Sequence, residues 1–367
     1  MPTVCWRLSA WDPDIASVRY RSAIPALNLT DRGVVSRLSA ADYGVLEGRP
    51  DAVVFVKAFA DRDVELAHEA AQAGVPVLLD VCDNVFAPGY RAHSPDNLRR
   101  MAELAAAVVT TGPALAEVLV TELGSGLPLH IVPDPLETPE DVRRAARLVW
   151  RQRLERAARQ RRADLPRALA SAAERGLVPA LRRRLRRDGE RFMPEVLWFG
   201  NAGSVEPRFG LVNLADVAGE LEAASREVPF RLVVVTGDRD AYRRHAEPLA
   251  LETAFEPWDR QTIFGRVRSS AVVIVPNSRD EFSICKSANR PALALSQGTP
   301  VVATRIPSLE PLERAVVFDD FHSGVVTYLR DRALAAEHVR AGSEVIEREF
   351  APSVVAAKWL AVFESVL

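Results

Sequence analysis

A group of cationic and amide side chains follows an apolar run in the second half of the chain. The segment at residues 274–308 reads IVPNSRDEFSICKSANRPALALSQGTPVVATRIPS and contains Lys286, Asn289 and Arg290. Lysine is scarce in this protein, with three lysines against 44 arginines. A helix that opens near Lys286 would offer unpaired N–H groups and the positive end of its dipole to an anion. We therefore predict a phosphate-binding site, although the same cations could instead cap and solvate an exposed turn.

The elements that position these side chains alternate between short apolar runs and longer helical patterns. The runs predict strands at residues 52–55, 76–80, 107–110, 130–132, 196–199, 230–235, 272–275 and 301–303. The patterns between them predict helices at residues 63–72, 97–106, 114–123, 213–225 and 258–269. This alternation is typical of βαβ units, and the nearly unbroken apolar runs indicate strands covered on both faces. The predicted fold class is α/β, with two doubly wound, Rossmann-like domains in tandem.

The loops beyond the strand ends are the expected ligand-binding positions, because ligands of open α/β sheets bind at the carboxyl ends of the strands. In a chain with two such domains, these loops should face each other across a cleft. The candidate loops are residues 80–84, 110–112, Asp134, 200–203, 236–238 and 277–286. None carries the glycine-rich G-x-G-x-x-G fingerprint, and residues 200–203 match it poorly. A redox enzyme that uses a dinucleotide is therefore disfavoured.

Composition limits the class of protein further. A chain of 367 residues exceeds what one core usually supports, and 48% hydrophobic with 26% charged residues is ordinary for a globular protein. Three cysteines without metal-type spacing indicate a reducing compartment. No signal-peptide pattern opens the sequence, and no apolar run reaches the ~20 residues of a membrane span. We expect a cytoplasmic protein, at most peripheral at the inner face of the membrane.

Residues 139–190 differ from both predicted domains. They contain sixteen arginines and seven acidic residues, a net charge of +9 in a chain whose formal charge is −2. Their apolar spacing predicts two or three helices, interrupted near Pro166, Gly176 and Pro179. Basic helices can lie on anionic lipid, where each basic residue adds about 1 kcal/mol, or contact nucleic acid. They can also form a solvated insert whose arginine stems cover an acidic surface. The solvated insert and the membrane contact both remain alternatives for this segment, and we expect no nucleic acid partner.

Several short segments at the strand ends together resemble a known family. They are residues 80–84, 133–135, 198–201, 257–258, 286–290 and the Gly298-Thr299-Pro300 turn before a strand. In this order they resemble the GT-B glycosyltransferases, above all the retaining group that includes sucrose and glycogen synthases and a bacterial subset tied to surface polysaccharides or secondary metabolites. The resemblance implies an acceptor domain at residues 1–138, an arginine-rich insert at 139–193, a nucleotide-sugar domain at 194–350 and a terminal helix at 351–367 that crosses back to the first domain.

The resemblance also implies a nucleotide-sugar as co-substrate, with no cofactor and no metal. Sugar transfer breaks the bond to a diphosphate, so negative charge grows on the leaving group, where cations at a helix start would stabilise it. Lys286 and Arg290 are the implied catalytic cations. The implied diphosphate-binding residues are Gly200, Asn201, Gly203, Lys286, Asn289 and Arg290. For Asn289, a hydrogen bond to its own helix start is the alternative.

The chain departs from the retaining group at two positions. That group has two glutamates, eight positions apart, before the Gly-Thr-Pro turn, and these positions hold Cys285 and Leu293 here. Neither side chain can accept a ribose hydroxyl as a carboxylate does. Asp280 and Glu281, just upstream, are the substitutes we consider for the donor sugar or nucleotide, together with Thr236. The alternative for the two acids is a pair of solvated loop carboxylates. The donor sugar and the stereochemical outcome stay open.

Two arginines of the first domain could meet an anionic group in the cleft. Arg19 and Arg21 occur at the start of a predicted helix, and the resemblance brings the loop after the first strand close to the reacting centre. They could bind a phosphate or an anionic acceptor. The alternative is pairing with Asp12 and Asp14 at the surface.

A polar group after the strand at residues 76–80 supplies the candidates for proton transfer from the acceptor. Asp83 is our candidate general base, with Asp80 and Asn84 beside the acceptor and His93 as the fallback. The alternative for the acids and the amide is capping of the following turn.

The function that these observations favour is transfer of a sugar from a nucleotide-sugar to an unidentified acceptor, such as a glycan, a lipid-linked sugar or a secondary metabolite. Two alternatives remain. One is a nucleotide-sugar epimerase or pseudo-glycosyltransferase, because the same fold hosts both. The other is a non-catalytic protein that binds a nucleotide or another anion.

Overall fold

The computed structural model describes residues 1–40, 44–159 and 193–367. These residues form two domains, each built on a six-stranded sheet whose strands all run parallel. Helices cover both faces of the sheets, and the strands are almost wholly buried, as continuous apolar runs require. The prediction of two tandem Rossmann-like domains is confirmed.

The N-terminal domain has its strands in the order β2-β1-β3-β4-β5-β6. The strands are β1 Thr3–Leu8, β2 Val35–Ser39, β3 Ala52–Val56, β4 Val77–Val81, β5 Ala105–Thr110 and β6 Leu129–Ile131. The helices are α1 Ala16–Val18, α2 Ile24–Thr30, α3 Asp61–Gln72, α4 Pro95–Ala102 and α5 Pro113–Leu123. A π-helical turn, Arg19–Ala23, joins α1 to α2. The strand order reverses beside β1, where an open α/β sheet leaves a crevice for a ligand.

The C-terminal domain has the order β11-β10-β7-β12-β13-β14 and an additional two-stranded hairpin, β8-β9. Its strands are β7 Glu195–Phe199, β8 Gly203–Ser204, β9 Phe209–Gly210, β10 Arg231–Thr236, β11 Glu252–Pro257, β12 Val272–Val275, β13 Val301–Ala303 and β14 Val316–Phe318. Three short 3-10 helices are Leu211–Asp216, Ser283–Cys285 and Pro307–Leu312. The crevice here lies between β7 and β12, which pair with each other.

The helices of the connecting region and the C-terminal domain continue in chain order. They are α6 Pro139–Arg159, α7 Ala218–Glu227, α8 Arg239–His245, α9 Ile263–Arg268, α10 Asn289–Ser296, α11 Phe321–Arg330, α12 Arg332–Glu349 and α13 Pro352–Val366. Helix α6 contacts both domains, since Val142 packs in the core of the C-terminal domain and Ala145 and Val149 pack in that of the N-terminal domain. The predicted interruptions near Pro166, Gly176 and Pro179 lie outside the described residues.

Helix α13 packs against the core of the N-terminal domain. Trp359 is fully buried there, and its ring centroid lies 4.9 Å from that of Trp6 in β1. Phe363 contacts both of these rings. The last helix of the chain therefore completes the core of the first domain and ties the two domains together.

Several predicted elements differ from the structure in ways that matter for the site. The helix expected to open near Lys286 begins at Asn289, and Lys286 itself is extended, at φ −69° and ψ 151°. The helix expected from residue 258 begins at Ile263, after a short loop that follows β11 Glu252–Pro257. That strand escaped prediction because it is a half-exposed edge strand with polar residues, so it lacks an unbroken apolar run.

Candidate active site in the interdomain cleft

A cleft of about 890 Å³ separates the carboxyl ends of the two sheets. Its volume falls in the range of roughly 300–1,000 Å³ that small-molecule sites usually have. The N-terminal domain contributes the ends of β3 and β4, and the C-terminal domain contributes the end of β7 and the start of α10. The rule that placed ligands beyond the strand ends thus leads to this cavity. A cavity of about 600 Å³ at the other end of the first sheet, near Met1 and Leu367, lacks these groups.

A cluster of two lysines and one aspartate crosses the cleft. The Lys286 ammonium donates to Asp83 Oδ1 at 2.7 Å, and the Lys57 ammonium donates to Asp83 Oδ2. Lys57 and Asp83 follow β3 and β4 of the N-terminal domain, whereas Lys286 belongs to the C-terminal domain. The Lys286 ammonium also lies over the Phe282 ring, 3.8 Å from its centroid. One carboxylate thus holds two ammonium groups at the cleft.

The electrostatics of this cluster weaken the role predicted for Asp83. Burial by itself raises the pKa of the Asp83 carboxyl, but Lys286 and Lys57 outweigh burial and lower that pKa to about 2. A general base works best when its pKa lies near the working pH. Asp83 is therefore a poor proton acceptor and a strong ion-pair partner.

Arg290 presents a positive charge without a counter-charge. It occupies the first turn of α10, lines the cleft and donates from Nη2 to the Asn277 side-chain oxygen at 3.1 Å. Among the described residues, no carboxylate lies within salt-bridge distance of its guanidinium. Burial lowers the pKa of Arg290 to about 10. The arginine remains charged near neutral pH, and an incoming anion would relieve its uncompensated charge.

Asn289 links the domains through its side chain. Its amide donates to Asp134 Oδ2 at 2.8 Å, and Asp134 follows β6 of the N-terminal domain. The alternative hydrogen bond to its own helix start is therefore not the contact that Asn289 makes. The amide lies at the start of α10 beside Arg290, and both side chains border the cleft.

The loop at residues 200–203 lines the cleft beside Arg290. Gly203 has φ +81° and pairs with Gly210 in the β8-β9 hairpin. A Cβ atom on Gly203 would lie 1.8 Å from the Phe209 carbonyl oxygen, so only glycine fits. The side chain of Asn201 accepts from the Gly203 N–H at 2.8 Å and fixes the turn. Gly200 lies next to the Arg290 side chain, so the structure brings the loop and the arginine together.

The two N-terminal arginines are committed to pairs within the protein. Arg19 donates to Glu137 at 2.8 Å and 3.1 Å and to the carbonyls of Pro13 and Asp14. Burial by itself lowers the pKa of Arg19, but Glu137 raises it, and the net shift is upward. Arg19 pairs with Glu137 rather than with the carboxylates of Asp12 and Asp14, so the surface pairing considered as the alternative is wrong. Its side chain borders the cleft, with almost all of its donors already satisfied.

Arg21 is fully buried and holds the core of the site rather than a ligand. It donates to both oxygens of Asp80, to the Val132 carbonyl at 2.7 Å and to Asp134 at 3.2 Å. Burial raises the pKa of Asp80, and Arg21 opposes that rise. Asp80 is completely inaccessible, so the structure contradicts its predicted contact with an acceptor. These residues instead fix the end of β4, from which Asp83 projects.

Asn84 and His93 also lie away from the reacting region of the cleft. Asn84 is buried, donates to the Glu281 carbonyl at 2.9 Å across the domain interface and accepts from the Phe86 N–H. His93 packs edge-on against Phe59 and is half-buried, and burial lowers the pKa of its imidazole. It does not line the cleft, so the fallback base is not positioned for proton transfer.

The residues predicted for the donor sugar or nucleotide are not brought into the cleft. Thr236 ends β10 and is fully buried. Asp280 accepts from the backbone N–H groups of Phe282 and Ser283 at 3.0 Å and 2.7 Å, so it caps the following 3-10 turn. The Glu281 side chain is exposed outside the cleft. Asp280 and Glu281 therefore fit the alternative, a pair of loop carboxylates, better than a role in donor binding.

The two positions of the expected glutamate pair carry no polar contact to the cleft. Cys285 is buried, and it packs with the hydrophobic cluster of the N-terminal domain. Leu293 lines the cleft, as do Phe199, Trp258 and Ile263. These apolar side chains suit contact with a flat ring better than contact with a hydroxyl-rich group.

Sequence reasoning did not name Lys57 as a residue of the site, and it included Asp134 and Trp258 only within candidate segments. Lys57 lies two positions after the predicted strand at residues 52–55 and directly after β3, so the rule for strand ends applies to it as well. Asp134 was included as a loop, but its bond to Asn289 joins residues 155 positions apart, and no local pattern encodes that.

Two further features concern metals and membranes. Within the described ranges, no three His, Cys, Asp or Glu side chains are grouped to hold a metal ion. None of the described helices is both long and apolar enough to cross a bilayer.

Solved structures with a similar backbone exist for this chain, although their sequences are only distantly similar. No family model and no curated protein matches the chain. HepE from Anabaena, solved in complex with UDP, is similar over 100% of both chains, with a TM-score of 0.64 and 12% identity. A glycosyltransferase from Rickettsia africae is similar over 99% of this chain and 98% of its own, with a TM-score of 0.60 and 10% identity.

A third similar structure is the sucrose-phosphate synthase from Thermosynechococcus elongatus. It matches 99% of this chain and 98% of its own, with a TM-score of 0.57 and 15% identity. At such identities the likeness establishes the arrangement of the backbone. The chain therefore has the GT-B fold, with two Rossmann-like domains facing each other across one cleft.

Proposed function

We propose that this protein is a glycosyltransferase that transfers a sugar from a nucleotide-sugar, with UDP as the first nucleotide to test, to an acceptor in the interdomain cleft. The observation that carries the proposal is Arg290, a partly buried cation on the first turn of α10 that has no carboxylate partner among the described residues and borders the cleft. The similar structure from Anabaena was solved with UDP and with UDP-glucose, which motivates the choice of nucleotide.

The chemistry needs stabilisation of the leaving diphosphate. Breaking the bond between the sugar and the diphosphate leaves negative charge on the phosphate oxygens. Arg290 and Asn289, at the start of α10, line the cleft, and Lys286 lines it as a second cation. We propose that these groups, rather than a metal ion, stabilise that charge, and that the reaction needs no further cofactor. The backbone of residues 200–203 would approach the same phosphates.

The acceptor side is less defined by the described residues. We propose that the acceptor enters beside Asp83 and Asp134, where the N-terminal domain borders the cleft. Asp83 keeps Lys286 in place rather than acting as the base, because its pKa of about 2 leaves it little affinity for a proton.

The first experiment is calorimetric titration of the protein with UDP and with UDP-glucose. Arg290→Gln should weaken the binding of both by about tenfold or more, because a hydrogen bond to a charged group contributes about 1.5–3 kcal/mol. Arg279→Gln is the matched control, since Arg279 pairs with Asp319 at 2.9 Å on the surface and does not line the cleft. Equal affinities for the two variants, or no binding by the wild type, would overturn the proposed donor site.

A turnover assay distinguishes a glycosyltransferase from a protein that only binds the nucleotide-sugar. We expect release of UDP from UDP-glucose in the presence of a suitable acceptor, and unchanged release after treatment with a chelator of divalent metals. Loss of turnover on chelation would contradict the metal-independent mechanism. Binding of UDP-glucose without transfer to any acceptor in a broad panel would favour the non-catalytic alternative.

We also propose peripheral contact between residues 139–190 and anionic lipid. The described part of this segment, α6, exposes Arg143, Arg144, Arg147 and Arg151. Three of them pair with acidic neighbours on the same helix, which reduces the free charge. The four-fold Arg→Gln variant of these residues should pellet less with vesicles that contain phosphatidylserine than the wild type does. Equal pelleting of both proteins would exclude a role for this face of α6.

A further inference from the structure

Lys57 occupies the position in the N-terminal domain where an open α/β sheet holds its ligand. It directly follows β3, and β3 lies beside β1, where the strand order of the sheet reverses. The lysine borders the cleft, and its side chain is 26% exposed, so a ligand can reach the ammonium group. In the C-terminal domain, Arg290 lies at the start of α10, the helix that follows β12. Each domain thus brings a cation to the cleft from the segment that follows a strand beside its switch point.

The backbone at Lys57 is unusual for a residue with a side chain. Its φ is +48°, in the left-handed region that disfavours residues other than glycine. Its N–H donates to the Asp80 carbonyl at 3.1 Å, which holds this conformation. Such outliers cluster at functional sites, where the position of a side chain outweighs the local conformational cost.

The charge balance leaves a positive charge available. Asp83 is the only carboxylate among the described residues that pairs with Lys57 and Lys286, so two ammonium groups share one negative charge. Burial by itself lowers the pKa of Lys57, but Cys82 and Asp83 raise it and the net shift is upward, so the lysine stays protonated. The cluster carries a net charge of about +1, and it lines the same cleft as Arg290, which has no carboxylate partner in the described part of the chain.

The two ammonium groups already bind one anionic group together. Lys286 donates to Oδ1 of Asp83, and Lys57 donates to Oδ2 of the same carboxylate. Terminal phosphate oxygens are acceptors of the same kind and charge, and a compact ammonium can contact them from several directions. Two of the three lysines in a chain with 44 arginines meet at this point.

We propose that Lys57 is a phosphate-binding residue of the N-terminal domain, which contacts the diphosphate of the nucleotide-sugar opposite Arg290 and Lys286. This inference rests on the proposed function. It assigns part of the donor site to the domain that would otherwise bind only the acceptor. The diphosphate would then be held from both sides of the cleft, so donor binding would also favour closure of the two domains.

The test is the affinity of the full-length protein for UDP, measured by calorimetry in the wild type and in Lys57→Met. We expect Lys57→Met to weaken UDP binding by about tenfold or more and to reduce the dependence of the affinity on salt concentration. Lys358→Met is the matched control, because Lys358 pairs with Glu349 outside the cleft and should leave UDP binding unchanged. Lys57→Arg should recover part of the affinity, and circular dichroism checks the fold of each variant.

The double variant Lys57→Met/Asp83→Asn distinguishes direct contact from a change in overall charge. It has the same net charge in the cluster as the wild type, with Lys286 as the remaining cation. If Lys57 contacts the diphosphate, the double variant stays weak. The proposal for Lys57 is overturned if the double variant binds UDP with wild-type affinity, or if Lys57→Met binds UDP as tightly as Lys358→Met does. In either case, the proposed function still stands if UDP binding depends on Arg290. If the wild type does not bind UDP, both fail together.

Discussion

The Lys286 ammonium and the Asp83 carboxylate lie 2.7 Å apart, although 203 positions separate them in the sequence and they belong to different domains. This ion pair joins the two domains at the cleft in which the proposed donor diphosphate would bind. The same carboxylate holds Lys57, so one aspartate organises cations from both domains. The same ion pair therefore contributes to the stability of the free protein and positions cations of the proposed donor site.

Asp83 should give the protein a measurable dependence of stability on acid pH. Its folded-state pKa of about 2 lies below the ordinary value of 3.8, so its stabilisation is complete above about pH 4 and is lost as the pH falls towards 2. The magnitude is about 2 kcal/mol. Urea unfolding of the wild type and of Asp83→Asn should show a stability difference that shrinks over this window. A difference that stays constant with pH would show that the two lysines do not lower this pKa.

Arg290 should destabilise the free protein while it serves the ligand. Burial lowers the pKa of Arg290 to about 10, and no carboxylate among the described residues opposes this shift. The arginine is therefore charged near neutral pH, and keeping that buried charge makes the folded state less stable at pH values below about 10. Arg290→Met should therefore raise the free energy of unfolding at neutral pH by roughly 1 kcal/mol. The same variant should bind UDP more weakly. Heat denaturation with and without UDP measures both effects, and a variant less stable than the wild type would contradict this account.

Gly203 should tolerate no side chain. Its φ of +81° and the 1.8 Å approach of the Phe209 carbonyl oxygen to a Cβ atom mean that Gly203→Ala must distort the β8-β9 hairpin. We expect a loss of about 2 kcal/mol in stability or more, and weaker UDP binding because this hairpin borders the cleft. Gly219→Ala is the control, since Gly219 lies in α7 with no atom near the added methyl group. That control should be as stable as the wild type or slightly more stable.

Trp359 should be essential to the N-terminal domain although it lies near the end of the chain. It is fully buried against Trp6 and Phe363, and its ring lies under the guanidinium of Arg21. Trp359→Ala should lower the free energy of unfolding by about 3–5 kcal/mol. Glu364→Ala changes an exposed residue of the same helix and should change the stability little. Similar values for the two variants would show that α13 does not support the first domain.

The sequence predicts the position of some residues of the candidate site better than that of others, and the reason is physical. Arg290 could be placed from the sequence, because a cation after a strand and before a helix has one topological position in an open α/β sheet. Arg19 and Arg21 had a similar local pattern, yet they pair with Glu137 and Asp80, 118 and 59 positions away. A sequence pattern reports the position of a side chain along its own element. It does not report which opposite charge the fold brings next to it.

The sequence by itself determined the class of the fold and the edge at which the site lies. Parallel strands covered on both faces need unbroken apolar runs, and those runs mark the strand ends directly. The tertiary structure alone decided which polar groups are free for a ligand. Asp80 is buried beside Arg21, Thr236 is buried, and Arg290 has no carboxylate partner among the described residues, because each of these outcomes depends on neighbours that come from other parts of the chain.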